Sequence, residues 1–90
     1  MIRVTGTIAC WTAEEAELVR QLLPEHIRLS RAEPGCLTFT VEPTGNPLVW
    51  RLDESFVDNA AFKAHGDRMR SSAWFAATAG LARNFEVQET

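Results

Sequence analysis

Between Asp53 and Phe75 the chain gathers most of its groups able to do chemistry. Glu54 and Phe56 close a strand, His65 comes late in a short helix, Arg68 and Arg70 follow it, and Trp74 and Phe75 come next. Imidazole titrates near neutral pH, so a histidine can take a proton from a weakly acidic substrate. A guanidinium can hold the resulting anion through charge-assisted hydrogen bonds. Aromatic rings supply flat apolar walls. Together these residue types point to a small pocket for an aromatic or anionic molecule.

Each of these residues also has a plainer use. The pattern puts His65 in the last turn of its helix, where it could cap carbonyls and pack on Phe62. A helix C-terminus favours the protonated ring, which suits anion binding better than base duty. His26 lies in the middle of an apolar helix face and points at the sheet. It is either a rival base or a buried histidine bonded to a carbonyl. The sequence leaves that choice open. Trp50, Phe56 and Trp74 are candidate walls that also read as core. Arg51, opposite Trp50 on its strand, and Arg68 and Arg70 could steady a phenolate or carboxylate or stay solvated. Glu54 could accept a substrate hydroxyl or pair with an arginine.

The elements that must carry these groups are legible from period and punctuation. Residues 2–9 alternate Ile2, Val4 and Ile8 against Arg3, Thr5 and Thr7, the period of a half-buried strand. Thr12 and Glu15 form a capping box ahead of a helix whose apolar face includes Ala16, Val19, Leu22, Leu23 and Ile27. Pro24 falls on the opposite side, where it bends the helix at modest cost. Glu33-Pro34-Gly35 ends it. Strands follow over 36–42 and 48–54, separated by the turn Pro43-Thr44-Gly45-Asn46-Pro47. Asp58 caps a short helix that Gly66 is expected to close, and Ser71 or Ser72 caps another running to about Ala79. A last strand covers 83–88. The order β-α-β-β-α-β is α+β and ferredoxin-like: an antiparallel sheet with its helices on one face. Apolar residues on both faces of the third strand (Leu48, Trp50 and Leu52; Val49) imply that the other face is covered too. A second copy of the chain is the expected cover, giving a homodimer.

Ninety residues form one domain over 1–90, and a core this small gains from oligomerisation. Hydrophobic content of 46% and charged content of 23% fit a globular protein. A net charge of −3 argues against nucleic acid or anionic membrane as the main partner. No apolar run approaches the ~20 residues of a membrane span. The start, Met1-Ile2-Arg3-Val4, is strand-like and lacks the zones of a signal peptide, so a cytoplasmic location is expected. Cys10 and Cys36 have no CxxC spacing and read as free thiols. No phosphate loop, dinucleotide fingerprint, nucleophile elbow or metal-ligand spacing is present, so no bound cofactor or metal is expected. Trp11, beside the capping box, could be a dimer contact or a hydrophobic staple.

Three segments carry a family resemblance: Arg31-Ala32-Glu33-Pro34-Gly35-Cys36-Leu37, Glu54-x-Phe56, and Asp58-x-x-Ala61-Phe62-x-x-His65. The stretch from Ser71 to Phe75 matches a later helix. On these the chain resembles the antibiotic-biosynthesis-monooxygenase family of dimeric ferredoxin-like α+β barrels, over nearly its whole length. The resemblance implies a cofactor-independent monooxygenase, since relatives of that kind act on polycyclic phenols or quinols. Others degrade haem or isomerise a signalling molecule. This chain has Phe56 where many members carry Trp, and it contains no Tyr. Residues 2–9 hold no Asn, the first-strand residue of the haem-degrading relatives, which argues against haem. The resulting expectation is oxidation of a small aromatic diol or quinol by dioxygen. In it His65 is base or anion anchor, Trp74 and Phe56 are walls, and an arginine steadies charge. The competing expectation is a non-catalytic small-molecule binding or stress-response module of the same fold. A purely structural dimerisation domain is a third, and it predicts no cavity beside either histidine.

Overall fold

Seven elements follow one another in a computed structural model of residues 1–90. They are β1 (Ile2–Ala9), α1 (Ala13–Arg31), β2 (Cys36–Pro43), β3 (Val49–Phe56), α2 (Asn59–Arg70), α3 (Ala73–Thr78) and β4 (Ala82–Glu89). The strands form one antiparallel sheet in the order β2-β3-β1-β4. With its helices packed on one face, this is the ferredoxin-like α+β arrangement.

Local chemistry starts each helix. Thr12 Oγ1 accepts the Glu15 amide at 3.2 Å while the Glu15 carboxylate accepts the Thr12 amide at 2.9 Å, closing the capping box of α1. Along α1 the buried positions are Val19, Leu23, His26 and Ser30, a single stripe at helical spacing, and Pro24 faces outward. After Arg31 the chain turns through Gly35, whose φ of 84° is left-handed. A Cβ at Gly35 would lie 2.6 Å from that of Ala61, so this turn also needs the room. Asp58 Oδ1 accepts the Ala61 amide at 2.9 Å to begin α2, and Ser72 Oγ accepts the Phe75 amide at 3.2 Å to begin α3.

Two sequence expectations are corrected here. Gly66 does not close α2, which runs on to Arg70. An interior glycine costs a helix only about 1 kcal/mol. The turn beyond it contributes Met69 to the core and bonds Arg68 to Glu33. His65 is therefore an interior residue of its helix, and Arg68 and Arg70 are helical too.

The second correction concerns the face of the sheet that carries no helix. Register puts Ile2, Val4 and Ile8 beside Phe56, Glu54 and Trp50 on the helix side. The opposite face carries Arg3, Thr5, Thr7, Thr38, Thr40, Arg51, Asp53, Glu86 and Gln88, with Val49, Ala9 and Ala82 as its small apolar share. Arg3 and Asp53 form a two-bonded ion pair there, at 3.2 and 2.7 Å. That surface is polar, so the hydrophobic argument for covering it does not hold. The alternation of Leu48, Trp50 and Leu52 reflects burial under the helices.

Candidate functional site

Glu33 reaches the site from the exit of α1, and two partners hold it. His65 Nδ1 lies 2.7 Å from Glu33 Oε1, and Arg68 Nε donates to Glu33 Oε2 at 2.8 Å. Arg68 also donates to Ser30 Oγ at 3.0 Å, and Ser30 donates to the His26 carbonyl at 2.7 Å. This chain of bonds ties α1 to α2. A carboxylate only accepts, so the hydrogen of the Glu33–His65 bond belongs to Nδ1. Nε2 of the neutral ring is then left as an acceptor. It faces Glu54 Oε1 at 3.9 Å, beyond hydrogen-bond range but close enough for one ligand oxygen beside them to reach both.

Both groups line a cavity of about 580 Å³ between sheet and helices. Val4, Phe39, Val41, Leu52 and Phe62 make much of its wall, and Trp74 forms part of one side. Such a mostly apolar volume with a few convergent polar groups suits a small organic molecule. Burial, then the nearby Glu33 and Asp53, push the Glu54 carboxyl up to about 7. It therefore holds its proton at a higher pH than an ordinary glutamate does.

His26 lies in the same cavity, its ring centroid 6.1 Å from that of His65. It stacks on Trp74 at 4.6 Å with the planes 8° apart and meets Phe39 edge-on. Burial, followed by the neighbouring His65, Arg68 and Arg83, pulls its pKa down to about 3. At neutral pH His26 is an uncharged part of the wall. Its Nδ1 is buried without a hydrogen-bond partner.

The remaining sequence candidates fall in different places. Phe56 is 0% exposed and lies under His65, with ring centroids 5.1 Å apart. It supports the imidazole from below and is not a wall of the cavity. Trp50 is buried away from the cavity and lines a separate groove with Ala16 and Leu48. Arg51 is exposed on the helix-free face, out of reach. Arg68 is occupied by Glu33 and Ser30. Arg70 lines the cavity but bonds Asp67 at 2.6 Å. Trp11 is 70% exposed, and its Nε1 donates to the Gly80 carbonyl at 3.2 Å, pinning the loop before α1 to the turn before β4.

Two residues of the site were not singled out in sequence as chemical groups. Glu33 appeared only within the helix-ending segment and the family-resembling stretch around it, with no chemical role, and nothing local ties it to His65, 32 positions on. Arg83 does carry a signal: it shares strand parity with Phe85 and Val87, which puts a cation on the helix side. No three histidine, cysteine, aspartate or glutamate side chains come together in a metal-binding arrangement. No helix is long and apolar enough to cross a membrane.

Comparison with known proteins adds a family. The sequence model for antibiotic biosynthesis monooxygenases matches residues 1–77. No protein with a curated description matches the chain. Among solved structures, a Deinococcus radiodurans protein bearing the same family name is 24% identical with a TM-score of 0.78, covering 100% of this chain and 92% of its own. A Mycobacterium tuberculosis protein is 19% identical with a TM-score of 0.76, covering 99% and 93%. A Nitrosomonas europaea protein of unknown function is 21% identical with a TM-score of 0.79, covering 99% and 87%. At these identities the likeness is one of fold.

Proposed function

The chain belongs to the antibiotic biosynthesis monooxygenase family, and from that premise we propose that it oxidises a small aromatic diol or quinol with dioxygen, without a bound cofactor. The observation that carries this reading is His65, held through Nδ1 by Glu33 with Nε2 turned into an apolar cavity beside Glu54. A substrate hydroxyl reaching Nε2 gives up its proton to the imidazole. Glu33 then steadies the imidazolium, as a carboxylate does behind a catalytic histidine. Glu54, its pKa raised by burial, takes the hydrogen bond of the second hydroxyl.

The phenolate so formed is electron-rich enough to pass one electron to dioxygen. The aryloxyl radical and superoxide join at a ring carbon, and loss of water from that peroxide leaves a hydroxyquinone. The balance is one diol and one dioxygen giving one hydroxyquinone and one water. The apolar walls lower the local dielectric around Glu54 and His65, which strengthens each polar contact made beside them. His26 and Trp74 form a stacked pair against which a flat substrate packs.

Oxygen uptake with a panel of hydroquinones under metal-free conditions tests the reading. Wild type consumes oxygen in proportion to diol, and His65→Ala is at least ~100-fold slower, the scale of a lost general base. Equal turnover by the two proteins removes His65 from its role. Binding of the diols with no oxygen consumed by wild type favours the non-catalytic binding module.

We also propose a homodimer, on the strength of the small size of the domain. The self-complementary mix of threonines and opposite charges on the helix-free face gives it a wet interface. Sedimentation at micromolar concentration reads its mass directly, and a monomer there rejects it.

A further inference from the structure

Arg83 stands out among the cations of the cavity because it has no acidic partner. Lys63 and Arg70 also line the cavity, but both bond Asp67, at 3.0 and 2.6 Å. Arg83 donates instead to two neutral oxygens of one residue, Nη1 to the Thr78 carbonyl at 2.6 Å and Nη2 to Thr78 Oγ1 at 2.7 Å. Thr78 is 1% exposed, and its hydroxyl donates to the Trp74 carbonyl at 2.7 Å. The guanidinium is thus fixed in place, with Phe75 beneath it at 5.9 Å. Two of its five N–H groups are engaged and three remain. Nothing acidic offsets its partial burial, which pulls its pKa below the ordinary arginine value.

Its position relative to the proton-accepting groups gives this charge a use. In the sheet Arg83 pairs with Ile8, whereas Glu54 pairs with Val4, four residues along β1 and on the far side of it. Ordinary strand spacings put the Cα atoms of Arg83 and Glu54 about 16 Å apart. Both side chains line the same cavity. One end therefore takes protons and the other offers free cationic donors, with apolar wall between.

We infer that the natural substrate is an aromatic acid: a dihydroxy-aromatic whose carboxylate docks on Arg83 while its hydroxyls lie at His65 and Glu54. This rests on the oxidation reading above and adds the substrate class. Arg83 is in this account the specificity-determining residue. It is assigned no part in the proton transfer.

The test compares 5,8-dihydroxy-2-naphthoate, whose carboxylate lies on the ring away from the diol, with its methyl ester and with 1,4-dihydroxynaphthalene. Dissociation constants are measured anaerobically and oxygen uptake separately. Wild type is expected to bind the acid about tenfold to hundredfold tighter than the ester, the range for a charge-assisted bond. Arg83→Gln is expected to abolish that preference, bringing the acid's affinity down to that of the ester. Arg83→Lys keeps the charge without the fork and is expected to fall between them. Thermal unfolding of each variant checks that it folds. Equal binding of acid and ester by wild type, or an undiminished preference in Arg83→Gln, overturns the inference. Turnover of 1,4-dihydroxynaphthalene with no acid preference sinks the acid while the oxidation stands. An Arg83-dependent acid preference with no oxygen uptake supports the anion site and sinks the oxidation.

Discussion

Because the Glu33 carboxylate can only accept, it fixes which nitrogen of His65 carries the shared hydrogen, and the other titratable groups of the cavity set how stability answers to pH. His26 has an ordinary pKa of 6.5 and about 3 in the fold. Between those values the unfolded chain binds the proton that the folded one refuses, so stability falls as pH drops from 6.5 towards 3. Glu54 has an ordinary value of 4.5 and about 7 in the fold. There the folded chain holds the extra proton, so its contribution is full below 4.5 and is lost as pH rises through 7. The two slopes cancel between about 4.5 and 6.5 and leave a plateau. Urea midpoints across pH 3–8 are expected to show that plateau with a fall on each side. His26→Leu should flatten the acid arm and Glu54→Gln the neutral one; arms unmoved by these changes contradict the assignment. Residue chemistry of this kind was only partly legible in sequence. His65, His26 and Glu54 could be picked out by type, but the bonds from Glu33 to His65 and Arg68 span 32 and 35 positions. No local pattern encodes such a junction.

At the scale of elements, helix starts were readable because they are written in short range. Thr12 with Glu15, Asp58 and Ser72 each cap the helix that follows them. The stop at Gly66 failed because tertiary bonds beyond it outweigh a propensity of about 1 kcal/mol. That leaves the glycine as a removable weakness. A Cβ there would meet only the mobile end of Arg70, at 3.2 Å from Nη1. Gly66→Ala is expected to raise stability by about 0.5–1 kcal/mol in chemical denaturation. Gly35→Ala is expected to do the reverse, by about 2 kcal/mol or more, because the left-handed turn and the contact with Ala61 both resist a side chain. It should also loosen Glu33, two residues away, and so weaken the hold on His65. A stabilised Gly35→Ala would contradict the packing described for this turn. The faces of β3 were misread for a related reason. Its run of Trp50 and Leu52 shows that a strand is covered, but one strand cannot tell the character of its other face, and the threonines and ion pair of its neighbours make that face polar.

Across the whole molecule the sheet separates two environments, a polar face and a helix-covered one in which Glu54, His65 and His26 share an apolar hollow with Arg83. Element order alone made the architecture readable, since few topologies accommodate β-α-β-β-α-β. A pocket could be expected from the residue types, but not its size or shape, because its volume is what remains after side chains from all seven elements have packed. The account stands on that hollow ionising a phenol, and the spectrum of a bound diol reports this directly. With 1,4-dihydroxynaphthalene bound in the absence of oxygen at pH 7, wild type is expected to show the long-wavelength phenolate band, and His65→Ala to show the neutral phenol. A diol that binds wild type and keeps its neutral spectrum contradicts the account.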